Sequence, residues 1–200
     1  MKQPNRRDIL KGLLAGAAAL SLGAIGCDER DTNDKPTLQD TLMEDPTKLK
    51  EFPYMMSKDG QFNGYIIVGD NAPGSDVVAG IDISAGIGGI PITVPVDTCK
   101  LASEIGELDK HAIVIGRDYD NPLIRYGEVP TLAAGEGYLG LEKENGLYRL
   151  IVSGYDSLDI RKAGRVLAEH CSDPMKYELD CKKAIVQGTS LTDMTVQSLD

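Results

Sequence analysis

Three runs of β-branched residues, each stopped by a glycine and an acidic turn, constrain this 200-residue chain more than any other feature. In the first, Tyr65-Ile66-Ile67-Val68 stops at Gly69 and the turn Asp70-Asn71-Ala72-Pro73-Gly74 follows. Ser75-Asp76 then opens a helical pattern with Val77, Val78 and Ile81 on its apolar face. Ser75 stands where a cap is expected, and Asp76 in the first turn, where the helix dipole favours negative charge. His111-Ala112-Ile113-Val114-Ile115-Gly116 runs likewise into Arg117-Asp118-Tyr119-Asp120-Asn121-Pro122. Leu150-Ile151-Val152-Ser153-Gly154 runs into Tyr155-Asp156-Ser157. Short apolar runs bounded by turn signals are buried strands, so the expectation is a set of parallel neighbours in one α/β sheet.

Around these strands the pattern is less regular. Ile90-Pro91-Ile92-Thr93-Val94-Pro95-Val96 is proline-flanked, which favours a sheet edge or an irregular extended segment. Residues 98–108 carry Leu101 and Ile105 at helical spacing, and Pro122 is acceptable at the first position of a short helix over 122–126. Asn145-Gly146 separates two apolar segments and is the strongest short hairpin signal, because both residues tolerate positive φ. Asp156 or Ser157 caps a helix to about His170, with Ile160, Ala163, Leu167 and Ala168 as its core stripe and Arg161, Lys162 and Arg165 in water. Residues 182–188 and 191–199 are expected as two short terminal strands. The fold class that follows is α/β: a small mixed, mainly parallel sheet with flanking helices, Rossmann-like and three-layered, plus an antiparallel hairpin.

The N-terminus carries an address. Arg6-Arg7-Asp8-Ile9-Leu10-Lys11 precedes an apolar run from Gly12 to Gly26 that is shorter than the ~20 residues a spanning helix needs. The paired Arg6 and Arg7 resemble a twin-arginine export signal. Leu22-Gly23-Ala24-Ile25-Gly26-Cys27 looks like a lipobox, the small-residue site cut before a lipid-modified cysteine, so Cys27 is the expected anchor. Three regions result: a signal peptide with lipobox over 1–26, an acidic tether over 27–60 and an α/β domain over 61–200. Four cations against Asp8 put the first 26 residues at +3, and a formal charge of −10 for the chain leaves −13 for the remainder. So acidic an exterior repels nucleic acid and anionic lipid. Aromatic residues make up only 5 % with no Trp, a poor supply for ring stacking.

Cys171 and Cys181 bracket a short loop, and export to an oxidising space favours their pairing. Cys99 is left over, either inert or pairing with one of the others, since spacing does not fix connectivity. No Cys-x-x-Cys occurs and the histidines are His111 and His170, so no zinc site is expected.

Chemistry is otherwise sparse. Residues 69–75 would resemble a phosphate-binding loop, but Ser75 stands where the lysine belongs, and no nucleotide is expected. Gly-x-Ser-x-Gly is missing, and with it the hydrolase elbow. Asp70, Asp76, Asp118, Asp120, Asp156 and Asp159 fall at or just beyond strand carboxyl ends, where α/β sheets bind ligands. Calcium is conceivable there, but aspartates at these positions more often cap helices and start turns.

Residues 67–78, Ile113-Val114-Ile115-Gly116, Asn121-Pro122-Leu123, residues 154–161 and Gly188-Thr189-Ser190-Leu191-Thr192-Asp193 together resemble the archaeal S-layer protein family, specifically its outer, C-terminal-type domain. The likeness runs from about Tyr65 to the end, and departs from it where Gly116-Arg117 replaces the usual Gly-Gly. It implies a structural role, with no catalytic residues and no cofactor. The expectation is an exported envelope protein, lipid-anchored on the outer face of the plasma membrane, that associates with the S-layer or other envelope proteins. The alternative is a non-catalytic module that binds a glycan or divalent cation in the loops after Gly69, Gly116 and Gly154.

Overall fold

The computed structural model describes residues 48–200. Arg6, Arg7 and Cys27 lie outside the described residues, as does most of the expected tether.

Seven strands form one sheet, in the order β4-β3-β5-β7-β6-β8-β9. They are β3 (Gly64–Val68), β4 (Cys99–Leu101), β5 (His111–Ile115), β6 (Glu136–Glu144), β7 (Leu147–Gly154), β8 (Lys183–Gln187) and β9 (Thr195–Ser198). A separate hairpin pairs β1 (Ser57–Lys58) with β2 (Gln61–Phe62). The three glycine-ended runs are β3, β5 and β7, and they lie side by side and parallel. A parallel β4 extends this half at one edge. At the other, β7 turns through Asn145 and Gly146, both at positive φ, into an antiparallel pairing with β6. β8 and β9 continue antiparallel. The sheet is therefore mixed, with its parallel character confined to one half.

Both helices lie on one face. α1 (Gly74–Gly88) and α2 (Ser157–Ser172) pack against each other and share a core with Ile66, Ile113, Leu139 and Val152. The alternate residues Ile67, Val114 and Ile151 point to the opposite face. No α-helix covers that side among the described residues. Irregular chain does so, with Ala102, Ile105, Ile124, Val129 and Leu132. Burial on both faces is why these strands are continuously apolar. Arg149 fastens the cover: it donates to Leu123 O at 2.7 Å and Glu142 at 2.8 Å, and pairs with Glu128.

Several expectations change. Residues 48–60 belong to the domain, since Leu49, Phe52 and Met56 are buried in the helical-face core. Leu49 N–H donates to Cys181 O at 2.7 Å and Lys50 N–H to Leu179 O at 2.9 Å. Residues 98–108 form β4 and a 3-10 turn, Ala102–Glu104, because an edge of the parallel half is open to a strand. Residues 122–126 form turns rather than a helix. Ile90 to Val96 is irregular and extended, touching the hairpin through a bridge between Gln61 and Thr93.

α1 begins at Gly74 with Pro73 at the N-cap and no side-chain cap, so Ser75 does not cap it. Its buried face is Ala79, Ile83 and Ile87, while Val77 and Ile81 are exposed. α2 is capped as expected by Asp156, whose Oδ1 accepts from Leu158 N at 2.9 Å and Asp159 N at 3.0 Å. Lys162, expected in water, is 2 % exposed. Its Nζ sits 2.6 Å from Asp159 and donates to the carbonyls of Gly135 at 3.0 Å and Gly188 at 2.6 Å. A buried ammonium persists only when every proton finds an acceptor, and here three do so.

Candidate functional site

The chain order β3-α1-β4 places β4 on one side of β3, whereas the next strand, β5, lies on the other. In open α/β sheets the crevice at such a switch, beyond the strand carboxyl ends, is the usual ligand site. Here the chain fills it with its own turn. Asn121 is fully buried; its amide donates to Ile115 O at 2.9 Å and reaches Ile67 O at 3.5 Å, so one side chain ties the ends of β5 and β3. Its Oδ1 accepts from Leu123 N at 3.1 Å. Gly69 is needed because a Cβ there would stand 2.0 Å from Asp120 O. Gly116, at φ +136°, supplies the left-handed step that sends the chain back over β3. Arg117 closes the turn on Asp120, Nε to Oδ2 at 2.7 Å.

The six aspartates do not converge on a common point. Asp70 holds Ser103, accepting from its N–H at 3.1 Å and from its hydroxyl, and so ties the β3 turn to the chain after β4. Asp120 is taken by Arg117, Asp156 by the start of α2, and Asp159 by Lys162 and Gly135 N–H. Asp118 is exposed. Among the described residues no group of three or more His, Cys, Asp or Glu is arranged to hold a metal ion.

Asp76 differs from the rest. It is 0 % exposed, and neither carboxylate oxygen has a hydrogen-bond partner. Burial raises its pKa. The Ser157 hydroxyl lies close enough to oppose the rise without a hydrogen bond of ordinary geometry, and Arg117 opposes it while Asp120 adds to it.

Outside the plugged crevice, a cleft of ≈ 370 Å³ opens at the ends of β5 and β7. Its floor is Ser153 and Gly154, and its walls are Arg117 to Tyr119 on one side and Tyr126 to Leu132 on the other. Tyr119, Tyr126 and Tyr155 line it and are 72 %, 95 % and 55 % exposed. The Arg117 guanidinium lies 4.7 Å from the Tyr119 ring centre. Composition hid this gathering of tyrosines. Yet two of the three follow strand-ending glycines, Tyr119 after Gly116 and Tyr155 after Gly154, and that spacing was a signal.

The cysteine pairing is not formed. Cys99 is an exposed free thiol, and Cys171 and Cys181 are buried free thiols in the helical-face core. Burial pushes Cys171 up to about 12, so it behaves as a small apolar side chain.

The family of twin-arginine translocation pathway signal sequences matches residues 3–23. That match spans Arg6 and Arg7 and indicates that the chain is exported across the membrane. Among the described residues no helix is long and apolar enough to cross a membrane. No curated protein matches the chain.

Proposed function

We propose that this protein is a structural component of the cell envelope: exported, lipid-anchored through Cys27, and bound to the surface layer or its associated proteins by protein–protein contacts. The observation that carries the proposal is the order of its parts. A twin-arginine signal over residues 3–23 ends just before small residues and Cys27, and a packed domain begins by Leu49. Each buried lipid CH₂ contributes ~0.8 kcal/mol, so a two-chain anchor would hold such a domain at the outer face of the membrane. The switch-point crevice filled by Asn121 supports a role exerted through outer contours and without catalysis. The likeness of the β3, β5 and α2 segments to archaeal S-layer domains supports the choice of partner. We take the parallel half β4-β3-β5-β7 with α1 as the Rossmann-like core that this likeness implies, extended by an antiparallel half.

The test is fractionation and crosslinking on intact cells. Wild-type protein is expected in the membrane fraction, crosslinked to surface-layer proteins, and Cys27→Ser is expected to leave the membrane after export. Mature protein recovered from the cytosol with its initiator methionine, or a Cys27→Ser form that stays membrane-bound, would overturn the proposal.

A further inference from the structure

We infer that the tyrosine-lined cleft at the ends of β5 and β7 is a saccharide site that takes one or two neutral sugar rings. Three of the ten aromatic residues in the chain meet at this one opening, Tyr119 and Tyr126 from the connection between β5 and β6 and Tyr155 from the end of β7. All three are more than half open to solvent, Tyr126 at 95 %, Tyr119 at 72 % and Tyr155 at 55 %. A flat ring held open to solvent offers a large contact area at little cost in conformational entropy. Beneath the rings the cleft turns polar. Ser153 is 2 % exposed, faces the same side as Tyr138 and Ile151, and lines the cleft. Thr131 and Asp118 add hydroxyl and carboxylate groups at the walls. An apolar platform above a few fixed polar groups is the general form of a small-ligand site, and ≈ 370 Å³ is at the small end of that range.

Charge selects among the ligands such a site could take. Among the described residues the only cation lining the cleft, Arg117, is committed to Asp120 at 2.7 Å and covers Tyr119. Among the described residues lining it no free positive charge remains for a phosphate, a carboxylate or a nucleic acid, and the chain beyond residue 26 carries −13. A neutral sugar meets both surfaces, with C–H faces for the tyrosines and hydroxyls for Ser153, Thr131 and Asp118. This deepens the glycan alternative and does not rest on the envelope proposal: a failure of Cys27→Ser to leave the membrane would leave the cleft intact.

The mature full-length chain, purified in detergent, is titrated with glucose, galactose, N-acetylglucosamine and a mannose disaccharide, followed by saturation-transfer NMR and calorimetry. At least one sugar is expected to bind saturably, with Kd on the order of 1 mM. Tyr126→Ala is expected to weaken that binding tenfold or more without moving Tm, because the side chain supports nothing else. Tyr54→Ala, exposed on another part of the surface, serves as the control and binds as wild type. No binding by any of the four sugars, or equal binding by Tyr126→Ala, would overturn the inference. So would a site that takes only acidic sugars or peptides.

Discussion

A carboxylate in the first turn of a helix ordinarily sits in water and gains from the helix dipole. Asp76 has the position without the water. Its oxygens are buried and unpartnered, and burial holds its pKa above the ordinary aspartate value. Ser157 and Arg117 offset part of that rise, and Asp120 reinforces it. The sign of the linkage follows: a carboxyl raised in the folded state binds its proton more tightly folded than unfolded. Stability attributable to Asp76 is therefore greatest below the ordinary aspartate range, and it falls as pH rises from there through the raised value. Asp76→Asn keeps the shape and cannot ionise, so it should be the more stable form at neutral pH, where the wild-type carboxylate bears the cost of burial. It should also flatten the stability profile across that window. Urea unfolding of both forms from acid to neutral pH checks this, and a less stable Asn variant at neutral pH would count against it. The burial of Asp76 was not visible in the sequence, because Ser75-Asp76 has the form of an exposed cap. The groups that act on it, Ser157, Arg117 and Asp120, all lie more than forty residues further along the chain.

At the scale of elements, what the sequence showed depends on how local the cause is. β3, β5 and β7 could be read from their residues, since a strand buried on both faces needs an unbroken apolar run. The Asn145-Gly146 hairpin could be read for the same reason, its φ values being set by two residues. The orientation of α1 could not. Apolar residues lie all round it, so Val77, Val78 and Ile81 offered as good a stripe as Ala79, Ile83 and Ile87. Small residues decide the matter. A Cβ on Gly86 would stand 2.7 Å from the Cα and O of Ala168, and one on Gly164 2.9 Å from the Ala79 Cβ, so the helices cross nearly backbone to backbone. Lys162 was misjudged for a related reason, because its carbonyl partners at Gly135 and Gly188 are distant in sequence. Gly86→Ala sets two effects against each other. Helix propensity gains about 1 kcal/mol, while the contact is with backbone that only a shift of α2 can relieve, at about 1–3 kcal/mol. The net expectation is a loss of about 1 kcal/mol, read as a lower urea midpoint. Gly74→Ala, with nothing within 4 Å of the new methyl, should hold the midpoint or raise it.

For the whole molecule, the export signal and the cleft mark the two limits of sequence reading. The signal is a linear string recognised from consecutive residues, so Arg6 and Arg7 declare it in order. The cleft is assembled from the connection between β5 and β6 and the distant end of β7, and has no linear form. Two accounts of the signal make different predictions. If the N-terminal +3 merely orients the apolar run at the membrane, then Arg6→Lys/Arg7→Lys keeps that charge and export is unchanged. If the paired guanidinium groups are themselves recognised, lysine cannot replace them, because a point ammonium lacks the planar fork of donors. The match over residues 3–23 favours recognition. The double lysine variant should therefore accumulate in the cytosol as the uncut, full-length precursor, with mature protein outside the membrane reduced at least tenfold. Immunoblots of fractionated cells distinguish the outcomes by size as well as by compartment. The domain itself should be folded in the retained precursor, since its core is built from residues between Leu49 and Met194. Protease resistance of that precursor matching the mature protein would place the defect in routing alone, whereas export at the wild-type level would return the pair to a simple charge cluster.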